Sequence, residues 1–109
     1  MSKYGNKKVM MDEITFDSKG EAYRYGELKL LYRAGVISRL ELQPVFELQP
    51  KFTKNGKTYR AIKYVADFRY IEGGDTIIED FKGCKTNIYK LKKKMFEYKF
   101  PNLTLKETR

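Results

Sequence analysis

Residues 64–83, "YVADFRYIEGGDTIIEDFKG", predict two strands that pair as a hairpin. Gly73–Asp75 form a tight-turn signal, and the runs on both sides are rich in residues typical of strands. Because side chains alternate faces along a strand, Asp80 and Lys82 project to the same side. The turn would fold the first run back, so that Asp67 lies beside them. The stretch therefore predicts two carboxylates and a lysine gathered from adjacent strands.

The segments before and after this stretch predict two helices. Residues 18–34 have a helical pattern in which Ser18 is a plausible N-cap, Glu21 follows three residues later, and Gly35 ends the segment. Residues 86–100 return to a helical period before a proline, and Thr86 would cap this helix. One predicted helix therefore precedes the stretch of residues 64–83 in the sequence, and the other follows it.

Strand signals fill most of the remaining chain. Residues 36–48 alternate roughly but contain Pro44, Asn55-Gly56 is a hairpin signal, and residues 103–107 are a possible last strand. Residues 1–15 are polar, and we expect them to be irregular. The order helix, three strands, helix, short strand predicts an α/β or α+β fold with a central mixed sheet flanked by helices. With 109 residues in total, we expect a single domain over residues 1–109.

Composition points to a polyanionic partner. Twenty-three Lys and Arg residues against fourteen Asp and Glu give a net charge of +9, which favours a nucleic acid. The lone Cys84 and the absence of histidine exclude an internal disulfide and the common zinc sites, so any metal must be held by oxygen. No membrane-spanning run or secretory segment is visible, and we expect no membrane partner and a soluble, cytoplasmic protein.

The carboxylates Asp67 and Asp80 predict a magnesium site. Mg²⁺ takes few protein carboxylates and keeps several waters, and Lys82 would lie beside metal-bound water and a phosphate under attack. The alternative is that these side chains form ordinary cross-strand pairs on a solvent-exposed surface.

Glu21 is a third acid with two interpretations. On a helix it falls in line with Tyr25 and Leu28, which places it on the apolar stripe facing the body of the protein. The alternative is a capping box in which its carboxylate bonds back to the amide of Ser18.

Three segments in order, "FDSKGEAYRYGEL", "YVADF" and "IIEDFKG", resemble the motifs of the PD-(D/E)XK nuclease superfamily. About residues 14–106 are similar to a group of small phage and prophage proteins with that core. The resemblance implies a restriction-endonuclease-like αβββαβ fold. Ala66 stands where the family name has proline, a position that often varies.

The resemblance also implies an activity and its residues. It implies a Mg²⁺- or Mn²⁺-dependent endodeoxyribonuclease with Asp67, Asp80, Glu21 and the backbone carbonyl of Phe81 as metal ligands, and Lys82 as the catalytic lysine. A phage-type role in recombination or replication follows, with branched DNA among the candidate substrates, in the cytoplasm of a bacterial host. Chain size and family both suggest a homodimer. The alternative is a non-catalytic nucleic-acid-binding module with a nuclease-like fold.

Candidate DNA contacts cluster at the start of the second helix, where free amides favour phosphate. We predict nucleic-acid binding by Lys85, Thr86, Lys90, Lys92, Lys94 and Gln43. For Lys90 and Lys94 the alternative is a solvated helix face, and for Gln43 an ordinary polar residue at a strand end.

Overall fold

A computed structural model describes residues 8–81 and 85–108. This part of the chain forms an α+β fold with two helices and ten strands. In chain order the elements are β1 (Val9–Met11), β2 (Ile14–Phe16), α1 (Lys19–Arg33), β3 (Ser38–Leu42), β4 (Val45–Gln49), β5 (Phe52–Lys54), β6 (Lys57–Tyr59), β7 (Ile62–Val65), β8 (Phe68–Glu72), β9 (Asp75–Phe81), α2 (Asn87–Lys99) and β10 (Thr104–Thr108).

A four-stranded mixed sheet with the order β10-β9-β8-β3 forms the centre of the fold. β3, β8 and β9 pair antiparallel, and β10 joins β9 in parallel. The predicted tight turn connects β8 to β9, with φ of 59° at Gly73 and 85° at Gly74, a conformation that glycine adopts without strain. Together with the helices, this sheet has the order α1-β3-β8-β9-α2-β10, so the predicted αβββαβ order and central mixed sheet are confirmed.

Two hydrophobic cores lie on the two faces of this sheet. Alternation along β9 sends Ile77 toward the core that contains α1 and Ile78 into the core that contains α2. Phe68, Tyr70 and Leu28 are buried in the first core, and Phe96 in the second. β9 therefore contributes side chains to both cores.

The predicted helices are confirmed together with their caps. The Ser18 hydroxyl accepts a hydrogen bond from the Glu21 amide at 3.1 Å, and Thr86 accepts one from the Tyr89 amide at 3.1 Å. Gly35 has a φ of 77° just after α1, as expected for the residue that ends a helix. In residues 8–81 and 85–108 no helix is long and apolar enough to cross a membrane.

The prediction that residues 1–15 are irregular is wrong for the described residues from Lys8 onward. β1 and β2 form an antiparallel hairpin that turns at Asp12 and Glu13, with φ of 53° and 63°. Two non-glycine residues in that conformation give no recognisable turn signal. Packing of the apolar strand residues against α1 stabilises this hairpin instead.

Residues 36–48 form two strands in different sheets rather than one interrupted strand. β3 joins the central sheet, whereas β4 pairs with β7 in a separate two-stranded sheet. The change of direction occurs at Gln43, which has a φ of 50°, immediately before the buried Pro44. A proline was correctly expected to break the run, but not to divide it between sheets.

Glu79 is fully buried on the α1 side of β9 and holds Arg24 by two hydrogen bonds, at 2.6 and 2.9 Å. The Tyr70 and Thr108 hydroxyls also donate to its carboxylate, at 2.7 and 3.2 Å. Burial alone would raise the pKa of Glu79, but the bonds from Arg24 and Tyr70 lower it below its usual range. This ion pair ties α1, β8 and β10 to β9.

Glu79→Gln should destabilise the protein by roughly 2–4 kcal/mol, because it removes the buried counter-charge of the Arg24 guanidinium and leaves it only the more exposed Glu27, 3.3 Å away. Urea unfolding followed by circular dichroism measures the loss. The matched control is Glu47→Gln on the exposed face of β4, which should cost less than about 1 kcal/mol. Equal effects of the two changes would contradict the role given to this ion pair.

Candidate active site

Asp67 and Asp80 lie side by side at the end of the central sheet. The chain leaves β7, bends at Asp67 and enters β8, where Phe68 pairs with Glu79 of β9. The Asp67 amide donates to the Glu79 carbonyl at 3.1 Å, which continues this pairing by one residue. The two acids therefore project from neighbouring positions on the face opposite to Glu79. The predicted convergence of the two carboxylates is confirmed.

The reason for this convergence differs from the predicted one. An uninterrupted strand through β7 would place Asp67 on the same face as Val65 and Lys63. Those two side chains are exposed, whereas Asp67 is half-buried because the chain passes from the β4–β7 sheet into the central sheet. The bend, rather than simple alternation along one strand, directs the Asp67 carboxylate toward Asp80.

Backbone amides hold Asp67 in place. Its Oδ2 accepts a hydrogen bond from the Phe81 amide at 2.6 Å, and its carbonyl accepts one from the Gln43 amide at 2.9 Å. The backbone of Phe81, predicted to supply a metal-ligating carbonyl, is thus part of the site. The Gln43 side chain is exposed beside it, as predicted for a residue near the active edge.

The pKa of Asp67 is raised from 3.8 to about 8. Burial is the largest cause, and the hydrogen bond and negative charge of Asp80 add to it. The amide of Phe81 opposes the shift, whereas the charge of Glu21 adds to it. Because burial and the nearby Asp80 carboxyl both oppose its ionisation, Asp67 retains its proton near neutral pH when no cation is bound.

Asp80 is fully buried and hydrogen-bonded to a tyrosine. Its Oδ2 accepts from the hydroxyl of Tyr64 on β7, and burial together with this bond raises the pKa of Tyr64. The ring of Tyr89, in the first turn of α2, lies 6.3 Å from that of Tyr64 between ring centroids. Its hydroxyl donates to Glu107 at 2.5 Å. Tyr64 and Asp80 also both act on the pKa of Tyr89, so a chain of interacting polar groups runs from Asp80 to the first turn of α2.

Glu21 is buried on the inward face of α1, as its helical phase predicted, at 7% exposure. Its amide bonds to Ser18, which is half of a capping box, and its charge acts on Asp67. The start of α1 approaches β9 closely at the preceding residue, Gly20. A Cβ atom there would stand 2.2 Å from Cζ of Phe81, so only glycine allows this contact. Glu21 is therefore both beside a cap and close enough for its charge to act on Asp67.

The carboxylates of the site could supply some of the ligands of Mg²⁺ or Mn²⁺. Within residues 8–81 and 85–108 no set of three or more acidic, cysteine or histidine side chains is grouped as a metal site. A pair of adjacent carboxylates is nevertheless a usual protein contribution to Mg²⁺, which fills its other positions with water and substrate oxygens. Asp67 and Asp80 meet that requirement, and a divalent cation would relieve the repulsion between them.

The predicted lysine and the predicted DNA-binding residues are distributed as follows. Lys82 and its neighbour Cys84 lie outside the described residues. Lys85 forms an ion pair with Glu107 at 3.0 Å, so this cation already has a protein partner. Thr86 caps α2, Lys90 and Lys94 are exposed on that helix, and Lys92 is half-buried. The start of α2 therefore keeps exposed cations near the polar chain that leads to Asp80.

Sequence reasoning missed Tyr64 and the Arg24–Glu79 ion pair. Tyr64 contacts Asp80 because β7 lies in the separate β4–β7 sheet rather than in the central sheet. No local sequence pattern predicts that arrangement. A signal did exist for Arg24. Once Glu79 is predicted to point inward from β9, a basic partner is required, and Arg24 lies one helical turn from Glu21 on the inward side of α1.

The chain belongs to a family described as protein of unknown function (DUF1064), whose model matches residues 1–109. No curated protein and no solved structure matches the chain.

Asp67→Asn should stabilise the metal-free protein, and the gain should grow between pH 5 and pH 9. A pKa raised in the folded state means that folding favours the protonated acid, so this contribution to stability falls as the pH rises toward about 8. Asparagine carries no charge and can still accept from the Phe81 amide. Thermal melts in EDTA measure the difference, where 1 kcal/mol corresponds to about 4–8 °C.

The matched control for this measurement is Asp75→Asn at the exposed start of β9, for which we expect no such growth with pH. If Asp67→Asn instead lowers the stability by the same amount at every pH, Asp67 acts only as a structural hydrogen-bond acceptor.

Proposed function

We propose that this member of the DUF1064 family is a metal-dependent endodeoxyribonuclease of the PD-(D/E)XK type. The observation that carries the proposal is the adjacency of the half-buried Asp67 and the buried Asp80 at the end of a central mixed sheet. The order α-β-β-β-α-β of that sheet and its helices supports it, because the three sequence motifs fall on α1, on the entry to β8 and on β9.

In this proposal Asp67 and Asp80 are the ligands of Mg²⁺ or Mn²⁺. A bound divalent ion would activate water and stabilise the negative charge that develops on the phosphate. The Phe81 amide holds Oδ2 of Asp67, and a bound cation would replace the hydrogen bond between the two carboxyl groups. Glu21 acts from α1 as a ligand or through water, and the backbone carbonyl of Phe81 is the fourth proposed ligand. Burial of Asp80 keeps its carboxylate in a single orientation.

The proposed role of Lys82 is to orient or deprotonate the attacking water. The water oxygen forms a bond to phosphorus, the bond from phosphorus to one deoxyribose oxygen breaks, and that oxygen takes up a proton. One residue, Phe81, separates Lys82 from Asp80 in the sequence, the spacing on which the resemblance to the nuclease motif depends.

DNA is the proposed substrate because of the charge of the protein. The net charge of +9 favours a polyanion, and Lys90 and Lys94 are exposed on α2, whose first turn lies beside the polar chain from Asp80. Thr86, Lys92 and the exposed Gln43 complete the proposed contacts. Lys85 would have to exchange Glu107 for a phosphate, so we expect it to contribute less than Lys90.

The biological setting stays part of the proposal. We infer a phage-type enzyme acting on DNA during recombination or replication in the cytoplasm of a bacterial host, with branched DNA among its substrates. A homodimer would allow both strands to be cut. The exposed apolar side chains of Ile88 and Leu91 on α2, at 67% and 57% exposure, are available for contact with a second copy.

A non-catalytic nucleic-acid-binding module is the second candidate function. One observation favours it: the Asp80 side chain is fully buried and accepts a hydrogen bond from Tyr64, an arrangement that stabilises an acid without a metal. In that case the basic surface would bind DNA and the two aspartates would be only structural.

The experiment is a cleavage panel of duplex, single-stranded, flap and four-way-junction DNA with Mg²⁺ and with Mn²⁺. We expect cleavage of at least one substrate, its loss in EDTA, and a reduction of at least about 100-fold in Asp67→Asn and in Asp80→Asn, because each change removes a charged ligand. Circular dichroism checks that both variants are folded.

Asp75→Asn is the control for charge in this panel, since Asp75 lies in the exposed turn between β8 and β9 and should leave cleavage unchanged. Wild-type rates in either folded site variant would reject the assignment of Asp67 and Asp80. DNA binding without cleavage of any substrate would favour the non-catalytic module.

A further inference from the structure

The hairpin formed by β5 and β6 stands away from both hydrophobic cores. Its two strands pair only with each other, in a sheet separate from the central one. All ten residues from Lys51 to Arg60 are exposed. The connection is a tight turn at Asn55-Gly56, with φ of 53° and 75°. An isolated two-stranded hairpin is marginally stable in water, so its own side chains must hold it together.

Two cross-strand pairs stabilise this hairpin. Phe52 and Tyr59 stack with ring centroids 4.8 Å apart and an interplanar angle of 11°, and the hydroxyls of Thr53 and Thr58 lie 3.2 Å apart. The aromatic pair covers no core, because each ring remains 40% exposed. These contacts stiffen the hairpin without attaching it to the body of the protein.

The charge of the hairpin works against its own folding. Residues 51–60 contain four basic side chains and no acidic one. Lys54 pairs directly with Lys57 across the turn, and like charges at such positions are destabilising. Both lysines lie on the same face as the stacked aromatic rings, and Nζ of Lys57 lies 5.1 Å from the Tyr59 ring centroid. A polyanion bound on this face would remove the repulsion.

We propose that the β5–β6 hairpin is an arm that binds the phosphate backbone of duplex DNA on its Lys54–Lys57 face. The inference extends the proposed function by adding a second contact to the same substrate, but binding by the arm does not depend on cleavage. Asp67 is ten positions after Lys57 in the sequence, a distance that at about 3.3 Å per position is at most about 33 Å. One turn of DNA is about 34 Å, so the arm reaches phosphates up to one helical turn from the aspartates.

Lys54→Glu tests the arm, because it separates DNA binding from folding. The change replaces the repulsive Lys54–Lys57 pair by an attractive one, so the hairpin should be as stable as before or more stable. Fluorescence anisotropy with a 30-base-pair duplex in EDTA measures binding without cleavage. We expect weaker binding, and a plot of log K against log salt that is shallower by about one unit, as for the loss of one phosphate contact.

Arg33→Glu is the matched control, since it makes the same change in net charge at an exposed position at the end of α1. It should keep the salt slope of the wild-type protein. Equal effects of the two variants would show that only net charge matters and would overturn the arm. Wild-type affinity in Lys54→Glu, or no duplex binding by the unmodified protein, would overturn it as well.

The cleavage panel distinguishes failure of the arm from failure of the nuclease. Binding that requires Lys54 in a protein that cuts no substrate would support the arm and reject the nuclease. Cleavage by the wild-type protein with an unchanged salt slope in Lys54→Glu would reject the arm alone.

Discussion

The position of the half-buried Asp67 carboxyl beside the fully buried Asp80 carboxyl is the constraint on which the proposed site depends. The glycine turn fixes the register of β8 and β9, and the bond from the Asp67 amide to the Glu79 carbonyl extends that register to the two acids. Burial and the neighbouring Asp80 carboxyl then raise the pKa of Asp67 to about 8. A fold selected only for stability would gain by replacing one of them with an uncharged residue.

The opposite face of β9 shows how this chain stabilises a buried acid. Glu79 is also fully buried, but Arg24 neutralises it and two hydroxyls donate to it, so its pKa is lowered rather than raised. Neighbouring residues on one strand thus carry a neutralised acid and an acid that faces another carboxyl. Such a contrast is typical of a functional site beside a structural ion pair.

The sequence predicted those parts of the fold that have local signals. The caps at Ser18 and Thr86 and the turns at Gly73-Gly74 and Asn55-Gly56 depend on a few neighbouring residues, and the structure contains all of them. The β1–β2 hairpin and the division of residues 36–48 could not be predicted. They turn at non-glycine residues such as Asp12 and Gln43, whose positive φ depends on tertiary packing. The convergence of Asp67 and Asp80 was predicted because the glycine turn between their strands is a local signal. The bond from Tyr64 was not predicted, because it depends on the bend between β7 and β8.

The central claim is that Asp67 and Asp80 together bind a divalent cation, and crystals soaked in Mn²⁺ test it most directly. The account predicts an anomalous-difference peak between the two carboxylates, about 2.1 Å from one oxygen of each, which is absent in crystals of Asp80→Asn. If no peak appears at saturating Mn²⁺ and Asp67 and Tyr64 keep their positions, the two aspartates do not bind the cation and are a purely structural pair.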